Sequence, residues 1–240
     1  MEQKLYMILW IYFSIGAVVI LAINRNKPRV ERKQNWLKYF TYLFIINLLF
    51  ASIYFNESLF HYLSIAILIV GFFEIFRNTY SIGKLRTGII SLIVFSLLAF
   101  TFFSFSLMNR EIVFYTFFMI TVFDAFSQIS GQLLGKRKLL PNISPNKTLE
   151  GLFGGYAVSI FTSFMIRDLI EITAIQSLLI GFGVSTFAFA GDILASFSKR
   201  KFGIKDFSNL IPGHGGFLDR FDSLIMGGSF MYLFTKYFAL

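Results

Sequence analysis

Eight separate apolar stretches, each close to 20 residues long, dominate this chain of 240 residues. A helix of about 20 apolar residues spans a hydrocarbon core roughly 30 Å thick. The stretches at 59–76 and 152–167 are short for a span and are expected to be tilted, broken or mostly buried in protein. The pattern predicts an all-α polytopic membrane protein with about eight transmembrane helices. The eight stretches are 5–24, 38–56, 59–76, 87–109, 112–134, 152–167, 172–195 and 221–239.

The charged residues agree with this class and predict an orientation. Only 15% of the residues are charged, against about 25% in an ordinary soluble domain. Of the 22 Lys and Arg residues, 18 fall in alternate loops. Because Lys and Arg accumulate in cytoplasmic loops, we expect these loops to face the cytosol and both termini to face outward. The loops are 25–38, 77–86, 135–151 and 196–220.

The net charge of +9 is thus explained mainly by membrane topology. It does not predict a nucleic-acid partner, because 33 Phe, 11 Tyr and 2 Trp residues leave too little polar surface for a soluble nucleic-acid binder. The absence of cysteine excludes disulfides, thiolate metal sites and a cysteine nucleophile. We expect one membrane domain, with N-terminal transmembrane helices in residues 1–110 and a catalytic region in residues 111–240.

Carboxylates within or beside the apolar stretches are the candidates for chemistry. Asp192 lies late in an uncharged stretch, and helical spacing places Ser196 and Lys199 on its face at i+4 and i+7. Asp219 and Asp222 lie at i and i+3 where the last helix is expected to begin, so both can point into one polar pocket. The helix N-terminus favours their negative charge.

Asp124 lies inside the fifth stretch, and Glu74 lies near the end of the third. We expect Glu74 to pair with Arg77 at i+3. For any single acid, neutralising a nearby Lys or Arg is an equally good explanation. As a group, the other four acids flank two loops that contain Gly and Pro, and carboxylate oxygens are the hard ligands that Mg²⁺ prefers. The group therefore predicts one or two cations that bridge to substrate phosphates.

The segment 196–222 brings together five cations, three acids, one histidine and several glycines. Such a mixture suits a polyphosphate substrate, because Lys and Arg offset phosphate charge and glycines let backbone amides approach oxygen. The residue order resembles the signature of the phosphatidate cytidylyltransferases, also called CDP-diacylglycerol synthases. The matching positions are Ser196, Lys199, Arg200, Lys205, Asp206, Pro212, His214, Gly215, Gly216, Asp219, Arg220 and Asp222. Ser198 departs from the family, which usually has an aliphatic residue there.

A second segment, residues 143–151, is similar to the Ser-Pro-x-Lys-Thr-x-Glu-Gly loop of the same family. Asp124 and Gly131 also stand where the family has an Asp and a Gly seven residues apart. Between them, Ala125, Ser127 and Gln128 replace the usual Thr, Ala and Tyr. The resemblance covers roughly residues 120–225, and the first 110 residues match only as hydrophobic helices.

The resemblance implies that CTP and phosphatidate react to give CDP-diacylglycerol and pyrophosphate in a bacterial cytoplasmic membrane, with the active site facing the cytosol. It implies Mg²⁺, with a second cation in some cases, held by Asp192, Asp219, Asp222 and Asp124. The implied phosphate contacts and catalytic residues are Lys199, Arg200, Lys205, Asp206, His214 and Arg220. The implied substrate-binding residues are Ser144, Lys147, Thr148, Glu150, Ser196, Gly215 and Gly216.

Three alternatives stay open at this point. A CTP-dependent lipid kinase and a CDP-archaeol synthase are related enzymes with polar loops between membrane helices. An ion or phosphate transporter is the alternative from another class, but it would place acids at mid-membrane on several helices, whereas most of these acids cluster at helix ends. A homodimer is an open alternative for the oligomeric state.

Overall fold

The computed structural model describes residues 2–25, 27–211 and 215–238. These described residues form eight α-helices, a two-stranded sheet and one short 3-10 helix, Arg167–Leu169. By packing, the chain divides into two compact units, Met1–Ala51 and Ser52–Leu240. The helices are α1 (Glu2–Asn24), α2 (Arg29–Phe55), α3 (Glu57–Ile82), α4 (Leu85–Ser106), α5 (Arg110–Leu134), α6 (Leu149–Met165), α7 (Ala174–Phe202) and α8 (Leu218–Phe238). The strands are β1 (Lys138–Leu140) and β2 (Ser144–Thr148).

In the first unit, α1 packs against α2. The Tyr39 hydroxyl donates a hydrogen bond to the carbonyl of Phe13 at 3.0 Å, and the Asn35 amide donates to the Asn24 side chain at 2.8 Å. The contact between Asn35 and Asn24 lies at the end of the pair where the basic residues lie, and the contact between Tyr39 and Phe13 lies near the middle.

The second unit is built around α5. Every residue from Val113 to Phe123 is buried, because α5 packs against α6, α7 and α8. Helix α4 packs against α3 and α8. A helix that is apolar on all sides and covered by neighbours is expected at the centre of a bundle.

The prediction of an all-α polytopic membrane protein is confirmed. Each of the eight apolar stretches forms a helix, and six helices among the described residues are long and apolar enough to cross a membrane. The exceptions are α6 and α8. Helix α6 has 17 residues, which gives about 25 Å at ~1.5 Å per residue, and α8 carries several charges.

Three helices extend well beyond the predicted apolar stretches, and one of them is α3, which continues to Ile82. Helix α7 continues to Phe202 and is ended by Gly203 in the left-handed conformation. Ser196, Lys199 and Arg200 are therefore helical. This agrees with the helical spacing used for Ser196 and Lys199, but not with the predicted loop bounds 196–220. Lys and Arg are good helix formers and their charge is favourable in the last turn, so the helix does not stop where the apolar stretch stops. Helix α2 begins at Arg29, because Arg, Lys and Glu are good helix formers and Glu31 lies in the first turn.

The predicted loop 135–151 contains a short antiparallel hairpin, in which Lys138 pairs with Thr148 and Leu140 with Ser144. This is a correction to the purely helical prediction. A hairpin depends on pairing between two short strands, and neither strand is apolar enough to be visible as a periodic pattern.

The basic loops of the second unit meet at one end of its helices. The Lys84 ammonium donates to the carbonyl of Lys201 at 2.8 Å, and Arg200 donates to the carbonyl of Ile143 at 3.1 Å. The loops near residues 84, 143 and 203 are thus neighbours, as alternating helix directions predict. This end of the second unit carries the candidate site.

Candidate active site

The C-terminal half of α7 carries four predicted site residues, Asp192, Ser196, Lys199 and Arg200. The Ser196 hydroxyl donates a hydrogen bond to the Asp192 carboxylate at 3.3 Å, as the four-residue spacing predicts. Lys199 turns instead toward α8, where its ammonium contacts Asp219. Asp192 and Lys199 therefore contact different partners although they lie on one helix.

Asp219 lies in the first turn of α8 and only 2% of its side chain is exposed. Its Oδ1 lies 2.5 Å from the Nζ atom of Lys199, whose side chain is 10% exposed. Its Oδ2 accepts hydrogen bonds from the backbone N–H groups of Phe207 at 3.1 Å and Gly216 at 3.0 Å. Three donors compensate the buried charge. They also join α7, the loop after α7, and α8.

The Gly215–Gly216 turn needs glycine for two different reasons. Gly215 has a φ of 83°, which is the left-handed region that glycine favours. A Cβ atom on Gly216 would lie 2.6 Å from Oδ2 of Asp219. Glycine thus allows the Gly216 amide to approach an oxygen, but this oxygen belongs to Asp219 and not to a phosphate.

Asp192 forms an ion pair with Lys147 of β2, with an N–O distance of 2.5 Å. The Lys147 ammonium also lies 4.5 Å from the centre of the Phe189 ring, a cation–π contact. The Asp192 side chain is 38% exposed and that of Lys147 is 20% exposed. This pair joins the hairpin to α7, and solvent screens it more than the pair of Lys199 and Asp219.

Helices α7 and α8 approach closely beside Asp192. A Cβ atom on Gly191 would lie 2.5 Å from the carbonyl oxygen of Asp222, so the two helices touch at this glycine. The carboxylates of Asp192 and Asp222 are close enough to repel each other, and Asp192 also repels Asp124 of α5. The Ser223 hydroxyl donates to Asp124 at 3.5 Å. Three helices therefore bring three carboxylates to one region.

Seven side chains from these elements form what we name the charge cluster. Its members are Asp124, Lys147, Asp192, Lys199, Asp219, Arg220 and Asp222. Four carboxylates and three cations give it a formal charge of −1. The Nε atom of Arg220 is buried and has no hydrogen-bond partner among the described residues. Because an unpaired buried donor is costly, this atom is suited to bind an anion.

Two of the predicted site residues in and after β2 bind backbone N–H groups beside the hairpin and in α6. Thr148 is the N-cap of α6, where its hydroxyl accepts a hydrogen bond from the N–H of Gly151 at 3.1 Å. Glu150 accepts from the N–H groups of Lys136 and Arg137 and pairs with the Arg137 guanidinium. Backbone N–H donors, its own among them, and the Arg137 side chain lower the pKa of Glu150 to about 2. Ser144 is half-buried in β2.

Other predicted residues lie around the cluster without joining it. The Arg200 guanidinium donates to the carbonyls of Ile143 and Ile204, at 3.1 and 3.0 Å. Lys205 is exposed, and Asp206 lies against Gly215. His214 and the neighbouring Pro212 lie outside the described residues.

The partner of Glu74 was predicted wrongly from the sequence. Glu74 does not pair with Arg77. Its buried carboxylate instead accepts hydrogen bonds from Ser208 and from the backbone N–H groups of Phe217 and Leu218. The available signal was a carboxylate inside an apolar stretch, which implies a partner but does not identify it.

The departure at Ser198 has a local explanation. Its hydroxyl forms a hydrogen bond with the Ser91 hydroxyl of α4, with an O–O distance of 2.7 Å. The polar side chain of Ser198 on α7 therefore has a hydrogen-bond partner on the neighbouring helix α4.

The charge cluster fits a divalent cation by ligand type and by charge. Its oxygens are hard ligands, and a cation would relieve the repulsion of Asp192 with Asp124 and with Asp222. A preformed shell is absent, because no three His, Asp or Glu side chains among the described residues are arranged to hold a metal ion. Asp219 is held by protein donors, and a metal would compete there with Lys199.

Comparisons with known proteins identify the family to which this chain is similar. The model of a family described as the cytidylyltransferase family matches residues 5–238. The chain is 41% identical over 129 residues to the phosphatidate cytidylyltransferase of Bacillus subtilis (strain 168), which covers 53% of this chain and 48% of that protein. It is 43% identical over 116 residues to the phosphatidate cytidylyltransferase of Aquifex aeolicus (strain VF5), covering 48% of this chain and 44% of that protein.

The chain is also 41% identical over 115 residues to the uncharacterized protein YnbB of Escherichia coli (strain K12), covering 48% of this chain and 39% of that protein. The matched stretches span less than half the length of each of these three relatives.

Proposed function

This chain belongs to the cytidylyltransferase family, and on that premise we propose that it transfers the cytidylyl group of CTP to phosphatidate. A phosphate oxygen of the lipid attacks the α-phosphorus of CTP and forms a new O–P bond. The bond between the α-phosphorus and the bridging oxygen breaks, and pyrophosphate leaves with the electron pair. The products are CDP-diacylglycerol and pyrophosphate. The reaction needs no covalent protein intermediate, so the protein acts by positioning and by electrostatic stabilisation.

The observation that carries this proposal is the charge cluster with the unpaired, buried Nε of Arg220. A planar guanidinium with a free donor is suited to a phosphate oxygen. Lys147 and Lys199 lie in the same cluster, each held by one carboxylate. We assign Arg220, Lys147 and Lys199 to the phosphates of the two substrates. Arg200 donates to the carbonyl of Ile143 in the hairpin and to that of Ile204 after α7, so it connects the hairpin to the end of α7.

A divalent cation is part of the proposal because of the charge balance. The cluster carries a formal charge of −1, and both substrates are anions, so the carboxylates would repel them unless a cation is present. We propose that Mg²⁺ is held by Asp192, Asp222 and Asp124, with Asp219 at the edge of this set. When bound, Mg²⁺ would offset charge on the triphosphate and on the leaving pyrophosphate.

The lipid substrate agrees with a site at the end of membrane helices. The chain is an integral membrane protein by its apolar helices, and phosphatidate keeps its acyl chains in the bilayer while its phosphate lies at the surface. We propose a cytoplasmic membrane with the charge cluster facing the cytosol, where CTP is available. The basic loops at that end favour this orientation.

The test uses the purified chain in mixed micelles with phosphatidate, Mg²⁺ and CTP labelled at one phosphate. With the label at the α-phosphorus, we expect labelled lipid, and with the label at the γ-phosphorus, we expect labelled pyrophosphate. A CTP-dependent lipid kinase would move the γ-label to the lipid and release CDP. A transporter would give neither product. Either of these results would overturn the proposal.

A matched pair of variants connects the product to the cluster. Asp192→Asn removes one charge at the proposed site and should lower product formation by at least ~100-fold. Glu111→Gln makes the equivalent change at the start of α5, outside the cluster, and should leave the rate within about twofold of the wild type. Equal rates for the two variants would refute the assignment.

A further inference from the structure

Helix α3, outside the two sequence motifs, binds the loop that precedes α8. Glu74 of α3 is 5% exposed. Its Oε1 accepts hydrogen bonds from the N–H of Phe217 at 2.8 Å and from the hydroxyl of Ser208. Its Oε2 accepts from the N–H of Leu218 at 2.7 Å. The first amides of a helix have no partner within the helix, so Glu74 supplies the cap of α8 from another helix.

Asn78 lies one turn after Glu74 and binds the other arm of the same loop. Its side-chain amide donates to the carbonyl of Phe207 at 2.7 Å and to the carbonyl of Glu74 at 2.8 Å. The backbone N–H of Phe207 donates to Asp219 at 3.1 Å. Phe207 is therefore held on one side by α3 and on the other side by the charge cluster.

We name residues 203–211 and 215–217, the described residues between α7 and α8, the signature loop, and we name the pair of Glu74 and Asn78 the clasp. The clasp binds both arms of the signature loop, at 207–208 and at 217, so both arms are fixed to α3. The same two arms donate to Asp219 through Phe207 and Gly216. A change in the clasp would consequently move the donors that orient Asp219 and, through Asp219, Lys199.

We propose that Glu74 and Asn78 are positioning residues for the reaction: they fix the two arms of the signature loop, whose backbone N–H groups orient Asp219 and, through it, Lys199. This inference rests on the proposed function. Neither residue belongs to the charge cluster, and both act through backbone groups of the loop. Their effect should thus be on substrate binding, because Lys199 is one of the residues assigned to the substrate phosphates.

The first experiment measures the loop without substrate. Amide hydrogen exchange is followed in the purified wild type and in Glu74→Gln, Asn78→Ala and the control Glu111→Gln. The amide of Gln cannot accept from all three donors, and Ala removes the bond to Phe207. We expect exchange in peptides covering 207–218 to rise by at least ~10-fold in both clasp variants. Exchange in α5 and α6 should stay unchanged, and the control should match the wild type throughout.

The second experiment separates positioning from simple loss of fold. CTP and phosphatidate are varied separately in the presence of Mg²⁺. We expect both clasp variants to raise KM for at least one of the two substrates by at least about fivefold. A purely structural role would reduce the active fraction, so that the maximal rate falls while both KM values stay constant. That pattern would overturn the inference, and so would unchanged exchange in residues 207–218.

Two further results separate this inference from the proposed function. An active wild type with clasp variants that behave like the control would overturn the clasp alone. An inactive wild type would overturn the proposed function and, with it, the role of the clasp in catalysis. If Glu74→Gln fails to fold, Asn78→Ala decides the question, because Asn78 is half-buried and uncharged.

Discussion

The two carboxylates that pair with lysines should respond differently to the same substitution. Asp192→Asn and Asp219→Asn each remove one negative charge from the charge cluster, and both should lower turnover by at least ~100-fold, which is roughly 2.7 kcal/mol of transition-state stabilisation. Their effects on folding should differ, because the two ion pairs differ in burial.

The expected cost follows from the exposure of each pair. The side chains of Lys199 and Asp219 are 10% and 2% exposed, and removing one partner of a buried pair costs about 3–5 kcal/mol. The pair of Lys147 and Asp192 is more exposed, so its loss should cost about 0–1 kcal/mol. For a chain of this size, 1 kcal/mol shifts the unfolding temperature by roughly 2–4 °C. Asp219→Asn should therefore lower it by roughly 6–20 °C, and Asp192→Asn by at most about 4 °C.

The assay needs a signal from the second unit. Both tryptophans, Trp10 and Trp36, lie in the first unit, so tryptophan fluorescence would report the wrong part of the chain. Circular dichroism during heating, combined with the fraction of protein that stays monodisperse in detergent, reports the helices of both units. The double variant Lys199→Met with Asp219→Asn removes both charges and should recover most of the lost stability without recovering activity.

Three results would refute this reasoning. An unfolding temperature for Asp219→Asn within about 2 °C of the wild type would mean that the buried pair contributes nothing. Equal destabilisation by Asp192→Asn and Asp219→Asn would mean that burial does not rank the pairs. Recovery of turnover in the double variant would mean that Asp219 and Lys199 do not belong to the active site.

The remaining predictions concern charge, pH and orientation. Arg220→Lys keeps the charge but loses the planar donor, so kcat/KM should fall at least ~10-fold. Lys201→Gln should change kcat/KM by less than about twofold, because Lys201 is exposed and only adds to lipid attraction. Equal losses of kcat/KM in the two variants would contradict this prediction. Hydrogen bonds lower the pKa of Glu150 from 4.5 to about 2. The stabilisation by its carboxylate should therefore be complete above about pH 4.5 and be lost as the pH falls through 2. Acid unfolding curves of the wild type and Glu150→Gln should consequently converge at low pH. In this Cys-free chain, a cysteine at Asn142 should react with an impermeant thiol reagent only after the membrane is opened, and one at Asn109 should react in intact cells whose outer barrier admits the reagent; the reverse pattern would invert the orientation.

The helices themselves could be predicted from local pattern. Apolar stretches near 20 residues mark where a helix crosses a bilayer, and each predicted stretch forms a helix. The spacing of Asp192 and Ser196 likewise predicts their contact, because i and i+4 residues share one helical face. Both inferences need only short-range order. The ends of α2 and α7 were missed, because basic residues continue a helix beyond its apolar part.

The partners of the charged groups were decided by tertiary structure alone. The sequence places Lys199 on the face of Asp192, but its ammonium binds Asp219, 20 residues away. Glu74 has Arg77 within one turn, yet its carboxylate binds amides more than 140 residues later. A side chain close in sequence competes with every donor that packing brings nearby, and a buried carboxylate is stabilised most where several fixed donors converge. Convergence of that kind depends on how α3, α7 and α8 pack, and no local pattern records it.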